Sequence, residues 1–109
     1  MDALHLSRSG GSPADVNGIP ARRFGYMHMC DAPAALPPDI PAMLNEARTM
    51  REFPGEGDLP LVPLLRALPA GLTVSVELGM RNRGFDADAR ARRGAEAARR
   101  IIALADGGS

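Results

Sequence analysis

Tryptophan and lysine are absent from this chain of 109 residues, cysteine occurs once, and the aromatic residues are three Phe and one Tyr. Each shortage excludes something. A single thiol, Cys30, permits no internal disulfide, which fits a reducing, cytoplasmic setting. Without Trp, a core has to be assembled from Leu, Val, Ile, Met and Ala, a modest supply for an isolated domain of this length. The longest apolar runs fall far short of a membrane span, and the N-terminus lacks the charged-then-apolar layout of a signal peptide. Neither sign of charge is in excess. The 13 basic side chains, all arginine, balance 13 Asp and Glu, so the net charge of zero offers no electrostatic case for nucleic acid or an anionic membrane. Arginine as the sole cation, beside abundant alanine, reads as codon bias in a GC-rich gene and not as chemistry.

What is present has the length of one domain or part of one. Residues 2–6 read as the end of a strand whose beginning is missing, and 7–11 as a polar, glycine-bearing loop. Ser12-Pro13 is a cap and first helical position for a short helix through Val16. Residues 24–29 form a second strand, apolar on both faces as in a parallel sheet covered by helices. A proline-rich loop follows over 31–38. Asp39 caps a helix to about Arg51, with Ile40, Met43, Leu44 and Ala47 at helical spacing. Pro54-Gly-Glu-Gly57 breaks the chain, and Asp58 is expected to cap a helix carrying Leu61, Leu64, Leu65 and Leu68. Residues 73–77 make a short β-branched strand. Residues 78–85 form a loop, and Asp86 opens a last helix with Ala87, Ala91, Ala95, Ala98, Ile101, Ile102 and Ala105 on one stripe. Strand, helix, strand, helices, strand, helix is a run of right-handed βα units.

Chemistry-bearing residues sit at the strand ends of that plan. Asp2, His5, His28, Asp31 and Glu77 are carboxylates and imidazoles within or just after strands, an arrangement suited to metal ligands gathered at one end of a parallel sheet. A hard-to-borderline divalent ion accepts carboxylate oxygen and imidazole nitrogen together, so Mn, Co, Mg or Zn would all be tolerated. Blander roles compete. Asp31, before Ala32-Pro33, is better read as an Asx-turn residue. Arg51 could pair with Glu46 or Glu52 on a solvated helix face. Met27 and Met29 are core filler, Cys30 a packed thiol, and the arginines of the last helix a solvated face interleaved with Asp86, Asp88 and Glu96.

Four pieces in order, Asp2-Ala-Leu-His5-Leu-Ser-Arg-Ser-Gly-Gly, His28-Met-Cys-Asp31-Ala-Pro, Glu46-Ala-Arg-x-x-Arg51-x-x-Pro-Gly-Glu-Gly57 and Ser75-Val-Glu77, resemble the C-terminal part of the sugar phosphate isomerases/epimerases. These are xylose isomerase-like TIM barrels, in the superfamily that includes the AP endonuclease family 2 enzymes. The resemblance covers residues 1–109. It implies an α/β fold made of the C-terminal three βα units of a (β/α)8 barrel, with parallel strands, outer helices and an incomplete wall. Asp2, His28 and Glu77 then match an aspartate, a histidine and a glutamate that hold a divalent metal. His5 and Arg51 match substrate-contacting residues. Glu77 also matches a base that takes a proton next to the carbonyl of a sugar or sugar phosphate, giving an enediolate. A first glutamate ligand would lie upstream of Met1, with roughly five strands of a fold that needs about 250 residues.

The resemblance therefore implies a chain that is unstable and inactive alone unless a second polypeptide, or self-association, completes the barrel. Dehydration of the inosose or dehydroshikimate type uses the same ligands and stays open, as does a non-catalytic remnant. DNA repair nuclease activity is disfavoured, because the additional histidines of a multi-metal site are not visible.

Overall fold

The computed structural model describes residues 1–78 and 86–107, so the loop expected over 78–85 lies almost wholly outside the described residues. Four α-helices are described, α1 (Ala3–Arg8), α2 (Ile40–Thr49), α3 (Leu61–Ala67) and α4 (Ala87–Asp106), with two short 3-10 turns and two strands, β1 (Tyr26–Met29) and β2 (Thr73–Val76). The strands pair in parallel, with Tyr26 opposite Thr73, Met27 opposite Val74, His28 opposite Ser75 and Met29 opposite Val76. On the other side of β1, Asp2 makes a parallel bridge to His28, whose N–H donates to the Met1 carbonyl at 2.7 Å. Three parallel segments thus stand side by side, the first of them a stub.

That stub corrects the expected strand over 2–6. The Asp2 carboxylate caps α1, Oδ1 accepting from the His5 N–H at 3.1 Å, so the chain turns helical immediately after the bridge. An aspartate with extended backbone ahead of a helix-compatible run is an N-cap. The capping tendency overrides the short apolar alternation that suggested a strand.

Elsewhere the local signals hold, with adjustments. Ser12 and Pro13 open a single turn of 3-10 helix ending at Val16. Asp39 caps α2 and Asp86 caps α4, each by a carboxylate oxygen accepting from the N–H three residues on. Asp58 does not cap α3, which starts at Leu61 behind Pro60. Instead Asp58 accepts from the Ala34 N–H at 3.3 Å. With the helix starting there, Pro63 falls in the first turn, where its missing N–H costs nothing.

One face of the sheet is packed and the other open. Met27, Met29 and Cys30 are fully buried, in one core with Leu4, Leu61, Leu64, Leu68, Ala98 and Ile101. Tyr26 and His28 alternate to the other face, where Tyr26 is 51% exposed. The expectation of a strand apolar and covered on both faces is therefore corrected: helices cover one side. Helix α4 buries Gly94, Ala97, Ala98 and Ile101, with Gly94 set against Val76 of β2; Ala98 and Ile101 belong to the expected stripe, whereas its first members, Ala87 and Ala91, are exposed. Gly94 sets that line of contact. A Cβ there would stand 2.9 Å from Leu78 Cδ1 and 3.2 Å from Val76 Cγ1, so glycine lets the helix backbone approach without displacing those side-chain tips. Along α4, Arg93 reaches back to Glu56 at 2.6 Å and lies over the Phe53 ring at 4.4 Å.

The loop after β1 is organised by Asp31, which is 1% exposed. Its Oδ1 accepts from the N–H groups of Ala32 and Leu59, both at 2.9 Å, and its Oδ2 from that of Gly55 at 2.8 Å. Its backbone exchanges both bonds with Glu52 in an antiparallel bridge. Asp31 is structural, as expected, but not as the expected Asx turn: position 33 is proline and has no N–H to donate, and the carboxylate instead ties together N–H groups as far as 28 residues away. Gly57 fits beneath it because a Cβ would come within 2.6 Å of both Asp31 Oδ1 and the Ala32 carbonyl. No helix among the described residues is long and apolar enough to cross a membrane.

Candidate metal and substrate site

At the C-terminal ends of the parallel segments, four of the five expected site residues come together. Asp2 is placed by its bridge to β1 and by capping α1. His28 stands opposite it on the open face of β1, with Nδ1 3.5 Å from Asp2 Oδ2. The Tyr26 ring packs beside the His28 imidazole, centroids 5.0 Å apart. His5 is carried on α1, not on a strand, and its side chain is 64% exposed, with Nε2 3.9 Å from Asp2 Oδ2. Arg51 follows α2 and is buried. Its Nη1 donates to Asp2 Oδ2 at 2.9 Å and to Cys30 Sγ at 3.7 Å, its Nε donates to the Ala47 carbonyl at 2.7 Å, and its Nη2 lies 3.5 Å from His5 Nε2.

Arg51 thus turns inward to Asp2 and does not pair with Glu46. Glu46 is engaged by Arg8, with Nε–Oε1 at 2.6 Å and Nη2–Oε2 at 3.0 Å, while the same guanidinium also donates to the Pro33 carbonyl at 2.7 Å. That forked pair clamps α1 to α2. Nothing in the local sequence announced it.

Glu77 is the fifth expected residue. Its N–H continues the ladder to the Met29 carbonyl at 2.9 Å, so it stands at the same end of the sheet as His28. It lies two residues beyond Ser75, the register partner of His28, and by alternation shares the open face with His28 and Asp2. Its side chain is exposed. Among the described residues no three His, Cys, Asp or Glu side chains are close enough together to hold a metal ion.

The electrostatics centre on the Asp2–Arg51 pair. Burial pushes the Asp2 carboxyl up, but the Arg51 hydrogen bond, the His5 N–H and the positive charge of Arg51 together outweigh it and hold the carboxyl below its usual range. Burial alone would lower the Arg51 guanidinium, and Asp2 raises it above its ordinary value. Cys30 is pushed up to about 11 by burial, against the opposing pull of Arg51. A thiol so held is no nucleophile near neutrality.

A divalent cation suits part of this arrangement. Metal–oxygen and metal–nitrogen bonds of roughly 2.0–2.2 Å span donors about 3–3.5 Å apart. The observed separation of Asp2 Oδ2 from His28 Nδ1 falls at the upper end of that range. The two donors are of compatible chemistry and already converge. Glu77 is on the correct face and end to be a third.

No family model and no curated protein matches the sequence. Solved structures do resemble the fold. A xylose isomerase domain protein from Alicyclobacillus acidocaldarius subsp. acidocaldarius superposes with a TM-score of 0.75 at 31% identity, over 96% of this chain and 37% of that one. The IOLI protein, with a binding zinc atom, gives a TM-score of 0.75 at 18% identity, over 95% of this chain and 37% of that one. A xylose isomerase-like TIM barrel/4-hydroxyphenylpyruvate dioxygenase fusion protein gives 0.71 at 25% identity, over 95% and 17%. The chain therefore spans little more than a third of the first two neighbours. Its α/β fold, with parallel strands and packed helices, matches part of a TIM barrel, and its structural neighbours are xylose isomerase-like TIM barrel proteins.

Proposed function

We propose that this chain is the C-terminal portion of a metal-dependent sugar or sugar phosphate isomerase/epimerase, corresponding to the last three βα units of the barrel. The observation that carries the reading is the meeting of Asp2 and His28 at one end of parallel segments, on the open sheet face, with Glu77 on the same face. In barrel enzymes this end and this face line the active site. Asp2 and His28 would supply two donors to a divalent ion, and Glu77, on the same face, would have to swing inward to become a third, with the zinc of the IOLI protein as precedent for a metal on this fold. Such an ion, when bound, polarises the carbonyl and neighbouring hydroxyl of a keto sugar.

The remaining chemistry belongs to the side chains. Glu77 takes the proton from the carbon beside the carbonyl, leaving an enediolate. His5, exposed at the rim, and Arg51, through Nη2 beside it, orient substrate oxygens. Tyr26 and His28, left open here, need an opposite wall from further polypeptide, on the same chain, a second polypeptide or another copy. The reading places the protein in the cytoplasm, in keeping with a solitary, buried Cys30.

A zinc titration of the chain followed by calorimetry tests the site: micromolar binding abolished by His28→Ala is expected, and indifference of binding to His28 would refute it. Mixing the chain with the N-terminal portion of a xylose isomerase-like barrel and offering keto-hexoses and keto-inositols tests the reaction. Epimerised hexose supports the proposal, and loss of water from the inositol would make the protein a dehydratase.

A further inference from the structure

The apolar stripe of α2 finds no core to enter. Ile40 and Leu44 are 71% and 48% exposed, and with Leu4, Met43 and Ala47 they line a groove of about 360 Å³ between α1 and α2. A space of that size falls within the usual range of ligand sites, roughly 300–1,000 Å³. Its walls are fixed. The forked pair of Arg8 and Glu46 ties α1 to α2 through side chains at most 10% exposed, which holds the helices at their separation. From Ile40 to Ala47 the helical wall is about 10 Å long at the α-helical rise. The groove leads to His5. That imidazole lines it and lies 3.5 Å from Arg51 Nη2, while Arg51 Nε donates to the Ala47 carbonyl at the same end. The other polar side chains along the groove are already engaged, Arg8 by Glu46 and the Pro33 carbonyl, the Ser9 hydroxyl by the Leu6 carbonyl.

We infer that this groove is a subsite for an apolar substituent of the substrate, so that the sugar accepted here is an alkyl or aryl glycoside. Its sugar oxygens meet His5 and Arg51, and its aglycone lies along α2. The inference rests on the reading of His5 and Arg51 as residues that orient sugar oxygens, and it needs no metal ion. The division of the groove carries it. Polar groups converge at the His5 end and the rest is Leu, Ile, Met and Ala, which matches a molecule with one polar head and one apolar body. Such a substituent takes the surfaces of Ile40 and Leu44 out of water, where an apolar patch is otherwise left exposed. A phosphate tail gains nothing there, because the one arginine lining the groove is already bonded to Glu46. A second copy of this chain is the rival occupant. It would cover Ile40 and Leu44 as well, but it gives no account of the groove running into His5 and Arg51.

NMR titration of the whole chain with methyl and hexyl β-D-glucopyranoside tests this, with circular dichroism to confirm that each variant folds. Hexyl glucoside should bind about tenfold or more tightly than methyl glucoside, because its added methylenes leave water. Leu44→Gln and Ile40→Gln, both at exposed positions, should erase that preference and leave methyl glucoside binding unchanged. His5→Ala should weaken both ligands alike. Equal affinity for the two glucosides, or a hexyl preference that survives both Gln replacements, overturns the inference, while methyl glucoside binding that depends on His5 keeps the sugar reading. A dimer that Leu44→Gln dissolves, with no hexyl preference, gives the face to a second copy and also overturns the inference. If neither glucoside binds, or both bind His5→Ala as they bind the parent chain, the inference and the sugar reading fall together.

Discussion

Replacing Asp31 by alanine should cost far more than one side chain's worth of packing. Three N–H groups, those of Ala32, Leu59 and Gly55, end on its two oxygens, and the first two bonds are fully buried. Alanine supplies no acceptor. A buried donor left without a partner costs about 1–3 kcal/mol, and bonds to a charged acceptor lie at the upper end. Counting Ala32 and Leu59 in full and Gly55, which water reaches more easily, in part, the loss comes to about 3–5 kcal/mol. That is a large share of the roughly 5–15 kcal/mol typical of a whole domain. In urea titration followed by far-UV circular dichroism, with a slope of about 1–3 kcal/mol per molar, the midpoint should fall by roughly 2 M. Asp31→Asn separates hydrogen bonding from shape. It preserves one acceptor oxygen for Ala32 and Leu59 but sets an NH₂ against the Gly55 N–H, so its loss should be about half that of alanine. An Ala variant within about 1 kcal/mol of the parent chain would show that water replaces the carboxylate and would refute the reasoning. So would an Asn variant as damaged as Ala.

Two further outcomes follow from buried charge. Arg8→Leu leaves the Glu46 carboxylate unpaired in a largely buried position and should destabilise by about 3 kcal/mol, while the double replacement Arg8→Leu/Glu46→Leu should recover most of the loss. Thermal unfolding of the four combinations measures this, and a double variant no better than the single one would contradict it. For Cys30, burial raises the thiol from an ordinary 9.0 to about 11. The folded state then binds its proton more tightly than the unfolded state, so this contribution to stability is complete below the ordinary value and lost as pH rises through that window. Stability should decline there, in a chain with no lysine to titrate alongside it, and Cys30→Ala should flatten the slope. Alkylation of the native thiol at pH 8 should be much slower than in urea.

Local signals carried the parts of the fold that local energetics control. Asp39 and Asp86 cap α2 and α4 as read, because a carboxylate three residues from an N–H needs no distant partner. The breaker at Pro54-Gly-Glu-Gly57, the β-branched strand β2 and the buried methionines of β1 are likewise intrinsic to their segments. Asp2 shows the limit of that reasoning. The same residue ends a strand, caps a helix and binds an arginine, and a pattern of apolar alternation registers only the first.

The residues alone determined which side chains could do chemistry and in what order the elements come. Tertiary packing decided which of them meet. Arg51 finds Asp2 across 49 residues and Arg8 finds Glu46 across 38, pairings that exist only because α1, α2 and the end of β1 are folded together. The open face was also decided in space: alternation along β1 places Tyr26 and His28 together, and whether they meet helix or water depends on what packs above them. Capping and periodicity act over one turn of chain, whereas a charge partner is selected by through-space distance and desolvation, which no short stretch of sequence encodes.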